Sequence, residues 1–283
     1  MIDLHLHSDR SDGTLPPAEL VARVAQAGVD TLALTDHDST DGLAEAGTAA
    51  LERGLRLVPG VEVSASWRNQ PIHVLGLWID PEAPVLRAAL AGQAERRHER
   101  MRMICARLSE RGLPGARWLA AVEARTALPT RTHLAEAIVA EGLAGDTGDA
   151  FRKFLGRGAV AQAAGLWPPL AEVIGWILGA GGLASLAHPM RYPLSAGARR
   201  RLLAEFAAAG GGAIEVVTGA NAAHQIETCA ALAGAHGLAG TVGSDFHDPK
   251  HAWNPLGRLA KLPPGVTPAW GLRETRGTCG WDG

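Results

Sequence analysis

Seven short apolar runs rich in β-branched residues recur along the chain, at 2–7, 31–35, 57–63, 72–79, 183–187, 213–218 and 240–243, and end in polar clusters. Runs of this length and composition read as strands. Several are followed by segments of helical character, at 16–27, 41–53, 170–178, 196–209 and 222–236, the first opening on Pro16 and Pro17, residues suited to a helix start. Strand-then-helix order repeated this often predicts a parallel α/β barrel or sheet. One junction breaks the rule, because residues 64–71 are too few for a crossover helix. A hairpin turning at 68–71 is expected instead. The start of its returning strand lies beside the end of its partner, which brings His73 to the rim that Glu62 approaches.

Between 79 and 183 no strand is expected, only Arg-, Ala- and Glu-rich helical sequence at 85–111, 117–124 and 132–141. Residues 84–162 therefore read as a helical insertion, a lid or substrate domain, leaving 1–83 and 163–283 for the barrel. The insertion's Arg96, Arg97, Arg100, Arg102, Arg107 and Arg111 read as a solvated helix face. The Gly/Pro/Trp-rich tail from 263 is expected to pack loosely over the barrel. All 283 residues fit one α/β barrel with an insertion. The hydrophobic fraction of 47% supports a packed core.

Net charge of −2 gives no basic surface for a stable duplex DNA partner, so an anionic ligand must be held by local cations or metals. Cys105, Cys229 and Cys279 lie far apart and form neither a disulfide framework nor a thiolate zinc motif, which fits a reducing cytoplasm. The start, MIDLHLHSDRSDG, is unlike an export leader, and no run approaches the ~18 apolar residues of a membrane helix. No membrane partner is expected.

Ionisable residues gather at the C-terminal ends of the expected strands. His5 and His7, two residues apart, face one side of a strand, with Ile2, Leu4 and Leu6 on the other. Asp36 and His37 follow the second strand, Glu62 lies near the end of the third, His188 follows the fifth, and Asp245 and His247 follow the seventh. In a barrel all of them ring one rim, where barrel active sites are built. Burying so many imidazoles and carboxylates together without a cation costs several kcal/mol per group. Mixed imidazole and carboxylate donors without thiolate suit an open catalytic site for Zn, Mn or Fe.

The segments DLHLHSDRSDG, TDHDS, GVE, the IH of PIHVLG, AHP and GSDFH, in this order, resemble the PHP (polymerase and histidinol phosphatase) family, an amidohydrolase-like group. The resemblance covers the first and last thirds of the chain and implies a distorted (β/α)7 barrel with a helical insertion domain. It implies two or three divalent metal ions. His5, His7, Glu62 and Asp245 would bind one, with Glu62 bridging to a second held by His73 and His133. Asp12, His37 and His247 would hold a third. Asp12 stands where some relatives place histidine, and His133 lies in RTH where relatives often show R-P-H.

In length and insertion layout the chain is similar to the stand-alone branch of nucleoside 3′,5′-bisphosphate phosphatases and 5′-to-3′ exoribonucleases. That similarity implies hydrolysis of a nucleotide phosphate monoester, the 3′-phosphate of a nucleoside 3′,5′-bisphosphate, by metal-activated hydroxide. The expected partner is a small phosphorylated nucleotide or short RNA. Alternatives are the exoribonuclease activity, a histidinol-phosphate-type phosphatase, an amide or lactone hydrolase with the same kind of cluster, and a non-catalytic metal-dependent binding module. Asp245 and His188 are the expected catalytic residues, His188 as proton donor to the leaving oxygen or as a phosphate contact. Ser8, Arg131, Lys153, Arg157 and Arg191 are the expected substrate contacts, because phosphate recognition favours forked guanidiniums.

Overall fold

The computed structural model describes residues 1–156, 166–219, 221–250 and 256–274. Seven strands form one sheet in sequence order, β1 (Ile2–Leu6), β2 (Thr31–Leu34), β3 (Arg56–Trp67), β4 (Gln70–Leu77), β5 (Leu183–Leu186), β6 (Ala213–Thr218) and β7 (Ala239–Gly243). The sheet curls until its edges nearly meet: the His7 N–H donates to the Phe246 carbonyl at 3.0 Å and the Asp245 N–H to the His5 carbonyl at 2.8 Å. The result is a nearly closed barrel of mixed α/β class. Helices α1 (Pro17–Gln26), α2 (Leu43–Glu52), α7 (Leu170–Gly179), α8 (Ala196–Ala208) and α9 (Ala223–His236) lie near their sequence-predicted places.

The short junction is a hairpin. β3 and β4 pair antiparallel from Gly60↔Leu77 to Trp67↔Gln70, leaving a two-residue turn at Arg68 and Asn69 with φ of 49° and 62°. Positive φ at both turn residues matches the twist of the flanking strands. β4 also pairs antiparallel with β5, so it alone among the seven strands runs against the barrel direction. The chain therefore leaves β4 at the end of the barrel away from the rim, and the next helix must climb the wall.

That helix is α3 (Pro84–Glu110), of 27 residues, which at the α-helical rise spans roughly 40 Å and overshoots every strand except β3. One stripe along it is buried throughout and changes chemistry on the way up. Leu86 and Leu90 belong to the barrel's main apolar cluster beside Ile174 and Ile177. Gln93 and Arg97, one and two turns on, are buried and polar. Met101, Ile104 and Leu108 enter a second apolar cluster with Trp118, Leu134, Ile138 and Leu155. That second cluster joins α3 to α4 (Gly115–Arg125), α5 (Arg131–Ala140) and α6 (Thr147–Ala150), which runs into one π-helical turn, Phe151–Leu155. The helix that opens the expected insertion thus gives its first half to the barrel core.

At the change of chemistry, the Arg97 guanidinium pairs with Asp38 at 2.6 Å and donates to the Ser64 hydroxyl at 3.1 Å. Gln93 adds hydrogen bonds to Asp38 Oδ1 at 3.0 Å and the Ser64 carbonyl at 2.7 Å. Arg97 is 6% exposed, so the solvated-face expectation fails for it. The signal was its position, four residues before Met101 and seven after Leu90, on the stripe those residues define.

The tail is also more tightly held than expected. The Gly240 N–H donates to the Thr267 carbonyl and the Ala269 N–H to the Gly240 carbonyl, at 2.8 and 2.9 Å, and Ala269 is fully buried. A final short helix, α10 (Gly271–Glu274), follows. Among the described residues no helix is long and apolar enough to cross a membrane.

Arg97→Leu strands the Asp38 carboxylate in the interior, a loss of about 3 kcal/mol in urea unfolding, moderated by the surviving bonds from Gln93 and the Ser64 N–H. A loss below about 1 kcal/mol would show that the pair does not tie α3 to the rim.

Candidate metal centre

β1 carries two imidazoles into the rim by an irregular route. Its register with β2 shifts between Asp3 and Leu6, a bulge, so Leu4 and Leu6 pack into different apolar clusters instead of sharing one face. The His5 and His7 Nε2 atoms still converge to 3.1 Å; bulges beside functional sites re-aim side chains in this way. β7 approaches closely: a Cβ on Gly243 would lie 2.2 Å from His5 Cβ and 2.6 Å from Glu215 Oε1. Only glycine fits there.

Asp38, His188 and Asp245 each follow a strand with positive φ, 51°, 29° and 56°. Such residues cost about 1–3 kcal/mol each unless over-determined. Here each is pinned. The Asp38 N–H donates to the Glu62 carbonyl at 2.9 Å, the His188 N–H to Glu215 Oε2 at 2.6 Å, and the Asp245 N–H to the His5 carbonyl.

Three overlapping groups result, with donor atoms in each within 4.8 Å of one another: His5, His7, Glu62 and Asp245; His37, Glu62 and His73; and His7, Asp12, His37 and His247. Glu62 Oε2 lies 3.3 Å from His5 Nε2, 3.2 Å from His7 Nε2 and 3.0 Å from His37 Nδ1. Yet Glu62 Oε2, His37 Nδ1 and Asp12 Oδ1 are buried and make no well-directed hydrogen bond. Buried donor and acceptor atoms at such distances normally pair. Lone pairs converging on shared points fit divalent cations, and the nitrogen and oxygen donors suit Zn, Mn or Fe.

Electrostatics follow the geometry. Burial favours neutral imidazole, but the charges of Glu215, Glu62 and Asp245 hold His5 well above the usual histidine range. Burial lowers His7, but the Asp245 and Glu62 carboxylates, each 3.2 Å from its Nε2, outweigh that and push it up to about 10. At His37 burial wins and pushes the ring down to about 4. Despite burial, the carboxyls stay well below their usual range, Glu62 through His37, His73 and His5, Asp12 through His37 and His247, and Asp245 through His5 and Arg191. Without a cation the protein balances these carboxylates with protons on imidazoles.

The expected second set changes membership. His133 joins none of the three groups; its Nδ1 accepts from the Thr130 N–H at 3.1 Å while Thr130 Oγ1 accepts from the His133 N–H at 3.3 Å. This reciprocal cap opens α5. His37 takes the expected place of His133 beside Glu62 and His73. The insertion still reaches the rim through Thr132, whose hydroxyl donates to Asp12 Oδ2 at 3.0 Å.

His188 Nε2 lies 2.9 Å from Glu62 Oε1, and burial lowers its pKa, which disfavours the charged form an acid catalyst needs. Ser8 is fully buried and its hydroxyl donates to Asp36 Oδ2 at 2.6 Å. Asp36 is therefore engaged by Ser8 and Ser11, and no substrate can take that hydroxyl's proton. Lys153 pairs with Asp149 at 2.6 Å on the insertion's surface. Arg157 falls outside the described residues. Arg191 pairs with Asp245 at the rim. Arg131, beside Thr132, holds its guanidinium 5.6 Å from the Phe151 ring centroid.

Two carboxylates escape the sequence reading. Glu215, fully buried on β6, lies 2.9 Å from His5 Nδ1, an arrangement that in the neutral ring keeps the proton on Nδ1 and frees Nε2 for a cation. A lone glutamate inside AIEVVT was the available signal. Asp3, beneath the site, accepts from the Ser244 N–H at 2.8 Å, and burial pushes its carboxyl up to about 6.

Glu215→Gln preserves shape but loosens the His5 ring, so metal affinity measured by calorimetry falls about 10- to 100-fold; unchanged affinity would remove Glu215 from the site. The carboxylates around His7 favour its charged ring, and its Nε2 must be free of a proton to bind a cation. Calorimetry across buffers of different ionisation enthalpy therefore detects proton release on metal binding, and affinity strengthens as pH rises toward the His7 value of about 10.

The PHP domain pattern matches residues 3–114. The chain is 42% identical to the 3′,5′-nucleoside bisphosphate phosphatase of Chromobacterium violaceum, over 97% of each chain. It is equally identical to the 5′-3′ exoribonuclease Rnm of Escherichia coli, over 96% of this chain and 93% of that one. Among solved structures, an amidohydrolase from Chromobacterium violaceum with bound sulfate and no metal superposes with a TM-score of 0.90 at 41% identity, covering 97% of this chain and 96% of that chain. Fold, ligand-donor clusters and full-length similarity agree, and the chain belongs to the PHP family of metal-dependent phosphoesterases.

Proposed function

We propose that the chain hydrolyses the 3′-phosphate of a nucleoside 3′,5′-bisphosphate, releasing nucleoside 5′-monophosphate and phosphate, with two or three divalent cations held by its rim. The observation that carries this reading is the set of donor groups sharing His7, His37 and Glu62, which would place cations close together, the arrangement that two-metal phosphoryl-transfer sites use. It draws further support from the full-length likeness to a nucleoside bisphosphate phosphatase. His5, His7, Glu62 and Asp245 would hold one ion, His37, Glu62 and His73 a second, and Asp12 with His247 a third. Such ions lower the pKa of a coordinated water and neutralise charge on the phosphoryl oxygens.

The chain's own residues supply the rest. A cavity of about 360 Å³ opens at the rim, lined by Asp12, Thr132, Phe151, Arg191, Asp245 and His247 among others, a volume suited to a small ligand. A wider groove of about 930 Å³ between α2 and α3 touches none of the donor groups. Arg191, fixed by Asp245, presents its guanidinium to phosphate oxygens at that cavity. His188 orients Glu62 through Nε2 and enters the proposal as a positioning residue. The helical segment beyond Arg97, built on the second apolar cluster, serves as the lid, and the free, buried thiols of Cys105 and Cys229 suit a reducing cytoplasm.

A second reading, a 5′-to-3′ exoribonuclease on short RNA, has equal support in sequence identity. Assay of the metal-reconstituted protein against adenosine 3′,5′-bisphosphate and 5′-phosphorylated oligoribonucleotides separates the two. Phosphate release from the bisphosphate is expected; release of mononucleotides from oligomers alone favours the exoribonuclease, and no turnover of either sinks both. In the same assay His188→Asn lowers kcat/KM about 100-fold alike for a ribose ester and for p-nitrophenyl phosphate. A much smaller loss with the activated p-nitrophenyl leaving group would instead make His188 the general acid.

A further inference from the structure

We propose that Tyr192, the chain's one tyrosine, is a positioning residue for the Oε1 half of the Glu62 carboxylate: its hydroxyl fixes the His73 backbone and its ring fixes the His188 imidazole. The proposal rests on the metal-centre part of the phosphatase reading and is independent of the substrate.

The need for such a residue starts in the sheet. β4 and β5 pair in register from Leu77↔Leu183 to Val74↔Leu186. The next pair, His73 with Ala187, forms only half: the Ala187 N–H donates to the His73 carbonyl at 3.1 Å, with no reciprocal backbone bond from His73. After Ala187 the chain turns away, His188 taking a φ of 29° and giving its N–H to Glu215 Oε2. The His73 N–H is left facing the gap beyond the end of β5, and an amide shielded from water without a partner is costly.

Tyr192 fills that gap. Its hydroxyl accepts from the His73 N–H at 2.8 Å and lies 3.5 Å from the His73 carbonyl, so it continues the ladder that β5 abandons. A hydroxyl can take this place because it both accepts and donates. The ring meets the His188 ring edge-on, with centroids 5.4 Å apart at 63°. His188 in turn meets His73 edge-on at 5.3 Å and 76°. One side chain therefore orders two imidazoles.

Those two imidazoles share a destination. His73 Nδ1 and His188 Nε2 approach Glu62 Oε1 at 3.0 and 2.9 Å, whereas His5, His7 and His37 surround Oε2. His5 is held by β2 on one side of its strand and by the closure with β7 on the other. His73, near the start of β4, has the β3 ladder on one side and only Ala187 and Tyr192 on the other. The Oε1 half is the one that needs the extra support.

Tyr192 is itself held. It is buried in the barrel's main apolar cluster with Leu203 and Phe206 of α8. Its carbonyl accepts from the Leu194 N–H at 2.8 Å. Arg199 of α8 clamps the same loop by donating to the Pro189 and Leu194 carbonyls, both at 3.1 Å. A side chain fixed by packing and by its own backbone transmits position to the ligands it touches.

Calorimetric zinc titration of chelator-treated wild type, Tyr192→Phe and Tyr192→Leu tests the assignment. Wild type is expected to bind two or three ions. Tyr192→Phe keeps the ring and removes the bond to His73, so affinity for one ion, that of His37, Glu62 and His73, falls about tenfold while the others hold. Tyr192→Leu also loses the contact with His188 and weakens the same ion further. Zinc affinities in Tyr192→Phe that match wild type, or that fall alike for every ion, overturn the positioning role. A measurement on the unmutated chain stands beside these: with one tyrosine, 3-fluorotyrosine labelling gives a single fluorine resonance, expected to shift on zinc binding, and a resonance indifferent to zinc overturns the assignment. In Tyr192→Phe kcat/KM falls alike for a ribose ester and for p-nitrophenyl phosphate; a loss confined to the ribose ester would make the hydroxyl the proton donor and overturn the positioning role. A wild type that binds zinc but hydrolyses no phosphate ester overturns the phosphatase reading, while selective loss of one ion in Tyr192→Phe still upholds Tyr192. A wild type that binds no zinc overturns both.

Discussion

The Glu62 carboxylate has imidazole nitrogens of His5, His7, His37, His73 and His188 within 3.3 Å. These rings come from two positions on or just after β1, from the ends of β2 and β5, and from the start of β4. A buried anion so surrounded needs protons or cations on its neighbours at every moment. Closure of the barrel, the hairpin and the left-handed residues after three strands all serve to bring those rings to one point. The barrel interior below is mainly apolar, with Asp3 and the hydrogen-bonded Ser185–Thr241 pair buried in it; the densest polarity is at the rim.

Reversal of β4 has two effects. It brings His73 diagonally across from Glu62, within 3.0 Å, without a crossover loop. It also returns the chain to the far end of the barrel, so α3 must traverse the whole wall before the insertion can begin. The Arg97–Asp38 pair occurs where the helix passes rim level, which couples the wall, the residue after His37 and the base of the insertion in one contact.

Much of this was legible from residues alone. The seven runs, the hairpin and the rim positions of His5, His7, His37, Glu62, His73, Asp245 and His247 followed from period-two patterning and strand-end placement. The bulge in β1 was not, because a one-residue register shift leaves no mark in an alternating sequence. At His133 the RTH segment serves as a helix cap through Nδ1 and the backbone N–H, which leaves Nε2 free, so the cap and the ligand motif are compatible. Glu215 was hidden because an isolated acid in an apolar strand gives no spacing to read, whereas Asp3 stands in step with His5 and His7 in DLHLH and was passed over. Arg97 was misjudged because charge was weighed residue by residue instead of along the helical stripe, while Arg102 and Arg111 are exposed as expected. For Arg97 the stripe was the stronger signal.

The unbroken run of α3 through two apolar clusters has a consequence for modularity. A boundary drawn at Pro84 severs Leu86 and Leu90 from the barrel they complete, whereas the polar span from Gln93 to Arg97 separates the two cores. The unit that can be exchanged between relatives is therefore the upper helix and what it carries. Its natural seam is inside α3, where the splice can preserve helical phase and keep Arg97 in register with Asp38.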